Sequence, residues 1–113
     1  MNIKFILHVN KWYWGETHTI VSDDGKGVVD VQFDDTMPNV AFIKGLSVFE
    51  DERKRGVGTK LMHLAHAEGR AKGKEFAQLC ANKAQDWLVA WYKDLGYKIL
   101  YSDEHEYTMI KSL

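Results

Sequence analysis

A basic turn with two glycines constrains the fold of this chain more than any other stretch. It reads Arg53-Lys54-Arg55-Gly56-Val57-Gly58, between a strand-like run ending Leu46-Ser47-Val48 and a helix-like run from Thr59. Glycines at such a turn let backbone N–H groups converge at the positive end of the helix dipole. With Arg and Lys beside them, these amides are typical of a polyphosphate site, although a solvated basic loop has the same local pattern.

The composition indicates one folded domain, residues 1–113, with 45% hydrophobic residues and 27% charged ones. A net charge of −1 argues against a general nucleic-acid binder and against a membrane-surface protein. Cys80 is the sole cysteine, which excludes an internal disulfide and indicates a reducing compartment. The apolar run near the N-terminus is too short for a signal peptide or a membrane span, so we expect a cytoplasmic protein.

The first half of the chain alternates apolar and polar residues, as strands do. Residues 2–9 predict a strand, followed by a short aromatic connection at residues 10–16. Residues 17–21 and 28–33 predict a hairpin with its turn at Asp24-Gly25. The apolar side chains expected on one face of the first strand are Ile3, Phe5, Leu7 and Val9.

A fourth strand is predicted over residues 40–48, and Gly45 inside it indicates a bulge or a close backbone approach. The spacing becomes helical over residues 57–72, and Gly73 is a good C-terminal stop. The residues that suit the packed face of this helix are Leu61, Leu64, Ala65 and Ala71.

Residues 75–80 predict a short strand, after which Asn82 has the character of an N-cap with Gln85 completing a capping box. Gly96 ends this second helix, and residues 97–111 predict a final hairpin. The helical spacing is carried by Ala84, Trp87, Leu88, Trp91, Tyr92 and Leu95.

The predicted order is therefore β-β-β-β-α-β-α-β-β. Its strand–helix–strand unit implies a parallel pair of strands. We predict an α/β (α+β) fold: a mixed, mostly antiparallel sheet of about seven strands with a central parallel pair and two main helices.

Two motifs lie in register on these predicted elements. The first is Arg53-Lys54-Arg55-Gly56-Val57-Gly58, preceded by Leu46-Ser47-Val48, and the second is Trp91-Tyr92-Lys93-Asp94-Leu95-Gly96-Tyr97. Together they resemble the cofactor and aromatic motifs of the GNAT superfamily of acetyl-CoA-dependent N-acetyltransferases. The resemblance covers roughly residues 40–101.

The resemblance implies acetyl-CoA as co-substrate, with no metal. Backbone amides of the glycine turn would hold the pyrophosphate, the pantetheine arm would pair with the fourth strand, and the bulge would open a wedge for it. The cofactor-binding residues that the resemblance implies are Leu46, Val48, Arg53, Lys54, Arg55, Gly56, Val57, Gly58, Thr59 and Asn82.

The catalytic residue implied by the resemblance is Tyr92, as proton donor to the departing thiolate. Considered alone, Tyr92 is equally one more residue on the apolar face of its helix. Many family members carry an acid or a histidine on the fourth strand as general base, whereas residues 40–48 contain neither. A water chain takes the proton, the acceptor binds already neutral, or the base comes from elsewhere. His8, Glu16 and His18 are conceivable bases, although each is better explained as an ordinary strand or loop residue.

Family members usually insert one or two helices between the first two strands, and residues 10–16 are too few for them. We therefore expect an acceptor groove that is open or completed by a second protomer, which makes a homodimer conceivable. Trp12, Tyr13 and Trp14 are candidate acceptor contacts, or they cap a core edge or line a dimer interface.

Two further candidates have simpler interpretations. His63 and His66 lack an evident third metal ligand, so we expect them on a solvated helix face. We expect Cys80 to be a buried structural thiol.

The favoured function is transfer of an acetyl group from acetyl-CoA to a primary amine of a small molecule or protein. The alternative is a non-catalytic module, on the same scaffold, that binds CoA or a partner protein.

Overall fold

The computed structural model describes residues 3–49 and 56–113, and within them the chain forms a single seven-stranded sheet with two helices. The strand order is β1-β2-β3-β4-β5-β7-β6, and β4 and β5 form the parallel pair among otherwise antiparallel neighbours. The predicted fold class and element order are confirmed. The elements are β1 (Phe5–Trp12), β2 (Gly15–Ser22), β3 (Gly27–Asp34), β4 (Val40–Val48), α1 (Val57–Ala71), β5 (Phe76–Asn82), α2 (Asp86–Asp94), β6 (Lys98–Ser102) and β7 (Glu106–Ser112).

Both helices contribute to one hydrophobic core on one face of the sheet. On α1, Leu61, Met62 and Ala65 are fully buried, because residues three and four apart share a helix face. Leu64 is half-buried and packs against this core as predicted, whereas Ala71 is exposed, so the prediction for Ala71 is wrong. The strand residues beneath the helices alternate with polar neighbours, for example Val29, Val31 and Phe33 on β3.

The N-terminal hairpin differs from the prediction. Residues 10–16 are not a connection, because β1 continues to Trp12 and pairs there with Gly15 across the two-residue turn Tyr13-Trp14. Since β1 is an edge strand beyond the reach of the helices, Leu7 and Val9 are 47% and 45% exposed. Of the four side chains predicted on one face of this strand, Ile3 and Phe5 pack against the edge of the core, whereas Leu7 and Val9 do not.

Four further sequence predictions, for Asn82, Ala84, His66 and Cys80, are wrong. Asn82 is not an N-cap: Gln85 occupies that position, and Asn82 Oδ1 accepts a hydrogen bond from the Ala84 amide in a local turn. Ala84 consequently precedes α2. His66 is buried, and Cys80 is exposed because it points to the face of β5 that carries no helix.

Candidate functional site

The strands β4 and β5 separate after a short stretch of parallel pairing. Pairing runs from Val40 with Phe76 to Phe42 with Gln78, and the remaining parts of the two strands do not pair. The predicted bulge lies just beyond this point: Gly45 and Leu46 together stand opposite Val29 of β3. Gly45 has φ of 62°, a left-handed conformation that favours glycine. The bulge bends β4 away from β5 and leaves a gap in the sheet.

A cavity of about 500 Å³ lies between the far half of β4, the start of α1 and the side of α2. Five predicted site residues line it together: Leu46, Val48, Gly58, Thr59 and Tyr92. Trp87 and Trp91 of α2 form the opposite wall. An elongated ligand can therefore contact β4 and the start of α1 at once.

The start of α1 offers backbone donors to this cavity. Gly56 precedes the helix with φ of 76°, and its carbonyl accepts the hydrogen bond from the Lys60 amide. The amides before Lys60 have no intrahelical acceptor, as in every helix. A Cβ at Gly58 would lie 3.6 Å from the Trp91 ring and from Val48, which is ordinary contact distance, so Gly58 lies close to both walls of the cavity. The geometry suits an anion held by main chain.

The other predicted residues of the glycine turn have separate positions. The Val57 side chain is buried in the core, so Val57 presents only its backbone to a ligand. Arg53, Lys54 and Arg55 lie outside the described residues, and their contacts with a phosphate stay predictions.

A second cavity of about 440 Å³ adjoins the first through the gap. The residues that line both are Leu46, Gln85, Leu88 and Tyr92. The second cavity is further lined by Phe42, Gln78, Cys80 and Asn82, whose side chains point to the helix-free face of the sheet. Asn82 thus lies in the second cavity and not beside the glycine turn. We refer to the two adjoining cavities together as the passage, and Tyr92 lies in the wall that they share.

Tyr92 is suited to hold a proton at this passage. Burial raises the pKa of its phenol, and Tyr92 as a whole residue is only 6% exposed, so the hydroxyl stays protonated at neutral pH. Within the described chain, no buried side-chain oxygen lacks a hydrogen-bond partner, and none of the observed hydrogen bonds involves the Tyr92 hydroxyl. The oxygen is therefore accessible from the cavities and free to contact a ligand.

A buried pair behind Tyr92 was missed in the sequence. His66 Nε2 and the Tyr97 hydroxyl share a hydrogen bond of 2.7 Å, and the Tyr97 ring packs edge-on against Tyr92 with centroids 5.9 Å apart. Burial, with the charges of Lys111 and Arg70, lowers the pKa of His66 to about 4. The neutral pair therefore supports the Tyr92 ring from within the core. Its sequence signal was the i, i+4 spacing of Met62 and His66 on the packed face of α1.

The substitute bases considered from the sequence line neither cavity. His18 is buried between Glu16 and Glu68, each 2.7 Å from one of its ring nitrogens, and Lys72 also pairs with Glu16. Glu68 and Lys72 belong to the C-terminal end of α1, whereas the first cavity lies at its start. His8 is exposed on the edge strand. This network therefore joins β2 to α1 and does not face the passage.

The aromatic residues of the first hairpin also lie away from the passage. Trp12 and Trp14 stack with centroids 6.3 Å apart, Tyr13 is 98% exposed, and none of the three lines either cavity. Their suggested role as acceptor contacts has no support in this arrangement. Within residues 3–49 and 56–113, no group of three or more His, Cys, Asp or Glu side chains is placed to hold a metal ion. Neither described helix is long and apolar enough to cross a membrane.

Comparison with known proteins assigns this architecture to a family. The model of the "Acetyltransferase (GNAT) family" matches residues 5–97, whereas no curated protein matches significantly. A GNAT family acetyltransferase from Elizabethkingia anophelis with acetyl-CoA bound has a TM-score of 0.79 at 12% identity, covering 99% of both chains. A Bacillus subtilis acetyltransferase in complex with CoA has a TM-score of 0.78 at 14% identity, again covering 99% of both. A nourseothricin acetyltransferase has a TM-score of 0.76 at 16% identity, covering 98% of this chain and 86% of its own.

Proposed function

The chain belongs to the GNAT family of acetyltransferases, and from that premise we propose that it transfers the acetyl group of acetyl-CoA to a primary amine by direct attack in a ternary complex. The amine belongs to a small molecule or a protein. Residues 1–113 act as a single domain in this proposal, which is supported by one sheet and one core. The cytoplasmic location, the absence of nucleic-acid or membrane partners and a homodimer stay predictions.

In this proposal the first cavity holds the cofactor. The amides at the start of α1, from Gly56 to Thr59, bind the pyrophosphate, aided by the side chains of Arg53, Lys54 and Arg55. The backbone of Leu46 and Val48 pairs with the pantetheine arm in this proposal, as in an added strand, along the part of β4 that follows its described pairing with β5 at Phe42. The two similar acetyltransferase structures with acetyl-CoA or CoA bound support this co-substrate.

Tyr92 acts as the proton donor to the departing thiolate in the same proposal. A thiol has a pKa near 8.5 and a phenol one near 10, so the transfer is uphill by about 2 kcal/mol. Burial raises the pKa of Tyr92 further and adds to this cost. A hydroxyl fixed within hydrogen-bond reach of the sulfur offsets such a cost, because the donor needs no reorganisation as charge develops.

One observation carries the proposal: Tyr92 lies in the wall shared by two cavities that meet at the gap between β4 and β5. The donor enters along α1 and β4, and the acceptor enters from the opposite face of the sheet. The two substrates meet beside the Tyr92 hydroxyl. Direct transfer requires this convergence, since no covalent enzyme intermediate separates the two substrates.

The test combines binding with turnover. Acetyl-CoA at 100 times its Kd stabilises a native protein by about 2.7 kcal/mol, so its addition should raise the melting temperature. Thiol release should then follow when amines are added. Absence of any thermal shift at millimolar acetyl-CoA refutes the proposal. A shift without thiol release across an amine panel favours the non-catalytic CoA-binding module.

A further inference from the structure

The second cavity opens on a face of the sheet that no described helix covers. Along β5, Ala77, Leu79 and Ala81 are buried beneath the helices, so the alternate residues Gln78 and Cys80 point to the other face. Asn82 continues this alternation at the end of the strand, and its Cα partner on β7 is Glu106. Tyr92 lines the same cavity as these side chains.

The walls of this passage contain few ionisable side chains. Among the described residues that line either cavity, Glu106 is the sole carboxylate, Lys44 the sole cation and Cys80 the sole thiol, and there is no histidine. A carboxylate is ionised at neutral pH and accepts protons, whereas an ammonium does not. Glu106 is therefore the described wall residue best suited to meet a cationic group and receive its proton.

Two hydrogen bonds to Asp103 hold the backbone of Glu106 in place. It begins β7, and its amide donates a 2.7 Å hydrogen bond to Asp103 Oδ1, while its carbonyl accepts from the Asp103 amide at 3.0 Å. The Glu106 carboxylate takes part in no ion pair observed within the described chain. An exposed carboxylate on a fixed backbone beside a cavity is available to a ligand.

We propose that Glu106 binds the ammonium group of a cationic aliphatic primary amine and takes its proton at the helix-free mouth of the passage. This inference rests on the proposed acetyl transfer and extends it to the acceptor. It supplies a base from β7 in place of the acid that β4 lacks.

The proposed reaction balances in protons and in bonds formed and broken. One proton passes from the ammonium nitrogen to a Glu106 carboxylate oxygen, directly or through one water, and then leaves to solvent. The neutral nitrogen forms a bond to the acetyl carbon as the carbon–sulfur bond breaks. The thiolate takes the proton of Tyr92, and the new amide nitrogen returns one of its two protons to the phenolate. The products are the acetylated amine, CoA and one released proton.

The test compares two amines and two acid-to-amide variants of the full chain. An aliphatic amine arrives protonated at neutral pH, whereas a weakly basic aromatic amine arrives neutral and needs no base before attack. Glu106→Gln removes the carboxylate in the cavity. Glu104→Gln removes a carboxylate from the same turn that lines neither cavity, and it serves as the matched control.

We expect Glu106→Gln to lower kcat/KM for the aliphatic amine by about 100-fold or more and to leave the aromatic amine and the Kd of acetyl-CoA unchanged. Glu104→Gln should leave kcat/KM for both amines and the Kd of acetyl-CoA at wild-type values. Calorimetric binding of the aliphatic amine to the CoA-loaded protein should weaken in Glu106→Gln, and this readout needs no turnover.

Three results overturn the assignment: equal losses of Glu106→Gln activity with both amines, unchanged activity with the aliphatic amine, or no binding of that amine to the wild-type complex. In each of these three results the protein still binds acetyl-CoA. Failure of the wild-type chain to bind acetyl-CoA is a different result, and it refutes the proposed function itself.

Discussion

Substitution of Gly45 by alanine tests whether the bulge in β4 opens the cofactor site. Gly45 has φ of 62° and stands with Leu46 opposite Val29, directly beyond the last pairing of β4 with β5. A Cβ added there would lie 3.5 Å from Asp30 Oδ2, which is ordinary contact distance. The cost of the substitution is therefore conformational and not a steric clash.

The magnitude follows from the backbone. A left-handed conformation costs a residue with a Cβ about 1–2 kcal/mol, and alanine recovers about 0.4–1 kcal/mol by restricting the unfolded chain. We expect Gly45→Ala to lower the free energy of unfolding by about 1 kcal/mol, or the melting temperature by about 4 °C. In addition, the strain favours a straightened β4 that closes the gap, so acetyl-CoA affinity should fall by up to about tenfold.

Gly25→Ala is the matched control. Gly25 has φ of 75°, lies in the turn between β2 and β3, and has no heavy atom within 4 Å of an added Cβ. It carries the same backbone cost but lines neither cavity. Urea unfolding should show similar losses for both variants, whereas calorimetry should show weaker acetyl-CoA binding for Gly45→Ala alone. Equal affinities in the two variants would refute the role assigned to the bulge.

Other substitutions test the packing and the electrostatics of the chain. Gly15 has φ of 152°, and an added Cβ there would lie 1.9 Å from the Phe33 carbonyl oxygen. Gly15→Ala should therefore lower the free energy of unfolding, measured in urea, by more than about 4 kcal/mol. A melting temperature near that of the wild type contradicts this. His66→Phe removes the partner of the Tyr97 hydroxyl and should cost about 1–3 kcal/mol; an additive double-mutant cycle with Tyr97→Phe would argue against this pair. Folding lowers the pKa of His66 from 6.5 to about 4. Neutral His66 therefore contributes fully to the free energy of unfolding above pH 6.5, and this contribution decreases as the pH falls toward 4. A His66→Asn variant whose stability decreases in the same way over this range would contradict the prediction. Hydrogen bonds from Lys72 and His18 lower the pKa of Glu16 from 4.5 to about 2, so its contribution is present above pH 4.5 and lost toward pH 2; Glu16→Gln should flatten the acid limb of the unfolding curve.

The order of elements follows from local signals in the sequence. Strand alternation, helical spacing and three glycines with positive φ, Gly45, Gly73 and Gly96, mark the bulge and the ends of both helices. Each signal depends on a few neighbouring residues, so a single sequence suffices to read it. The same is true of the glycine turn at the start of α1.

The errors come from competing local structures and from long-range contacts. Asn82 has the character of an N-cap, but its side chain bonds to the Ala84 amide, and the helix starts later. The turn Tyr13-Trp14 contains neither glycine nor asparagine, and so it gave no hairpin signal. His66 is buried only because Tyr97, 31 residues away, provides a partner. Glu106 reaches the passage only because β7 pairs with β5.

In the proposed function, acetyl transfer takes place beside the Tyr92 hydroxyl. The most direct measurement is kcat of Tyr92→Phe at saturating acetyl-CoA and amine, together with the Kd of acetyl-CoA. We predict a fall in kcat of about 100-fold or more, since the phenol supplies a proton only as the thiolate departs, with the Kd unchanged. A kcat equal to that of the wild type would contradict the account.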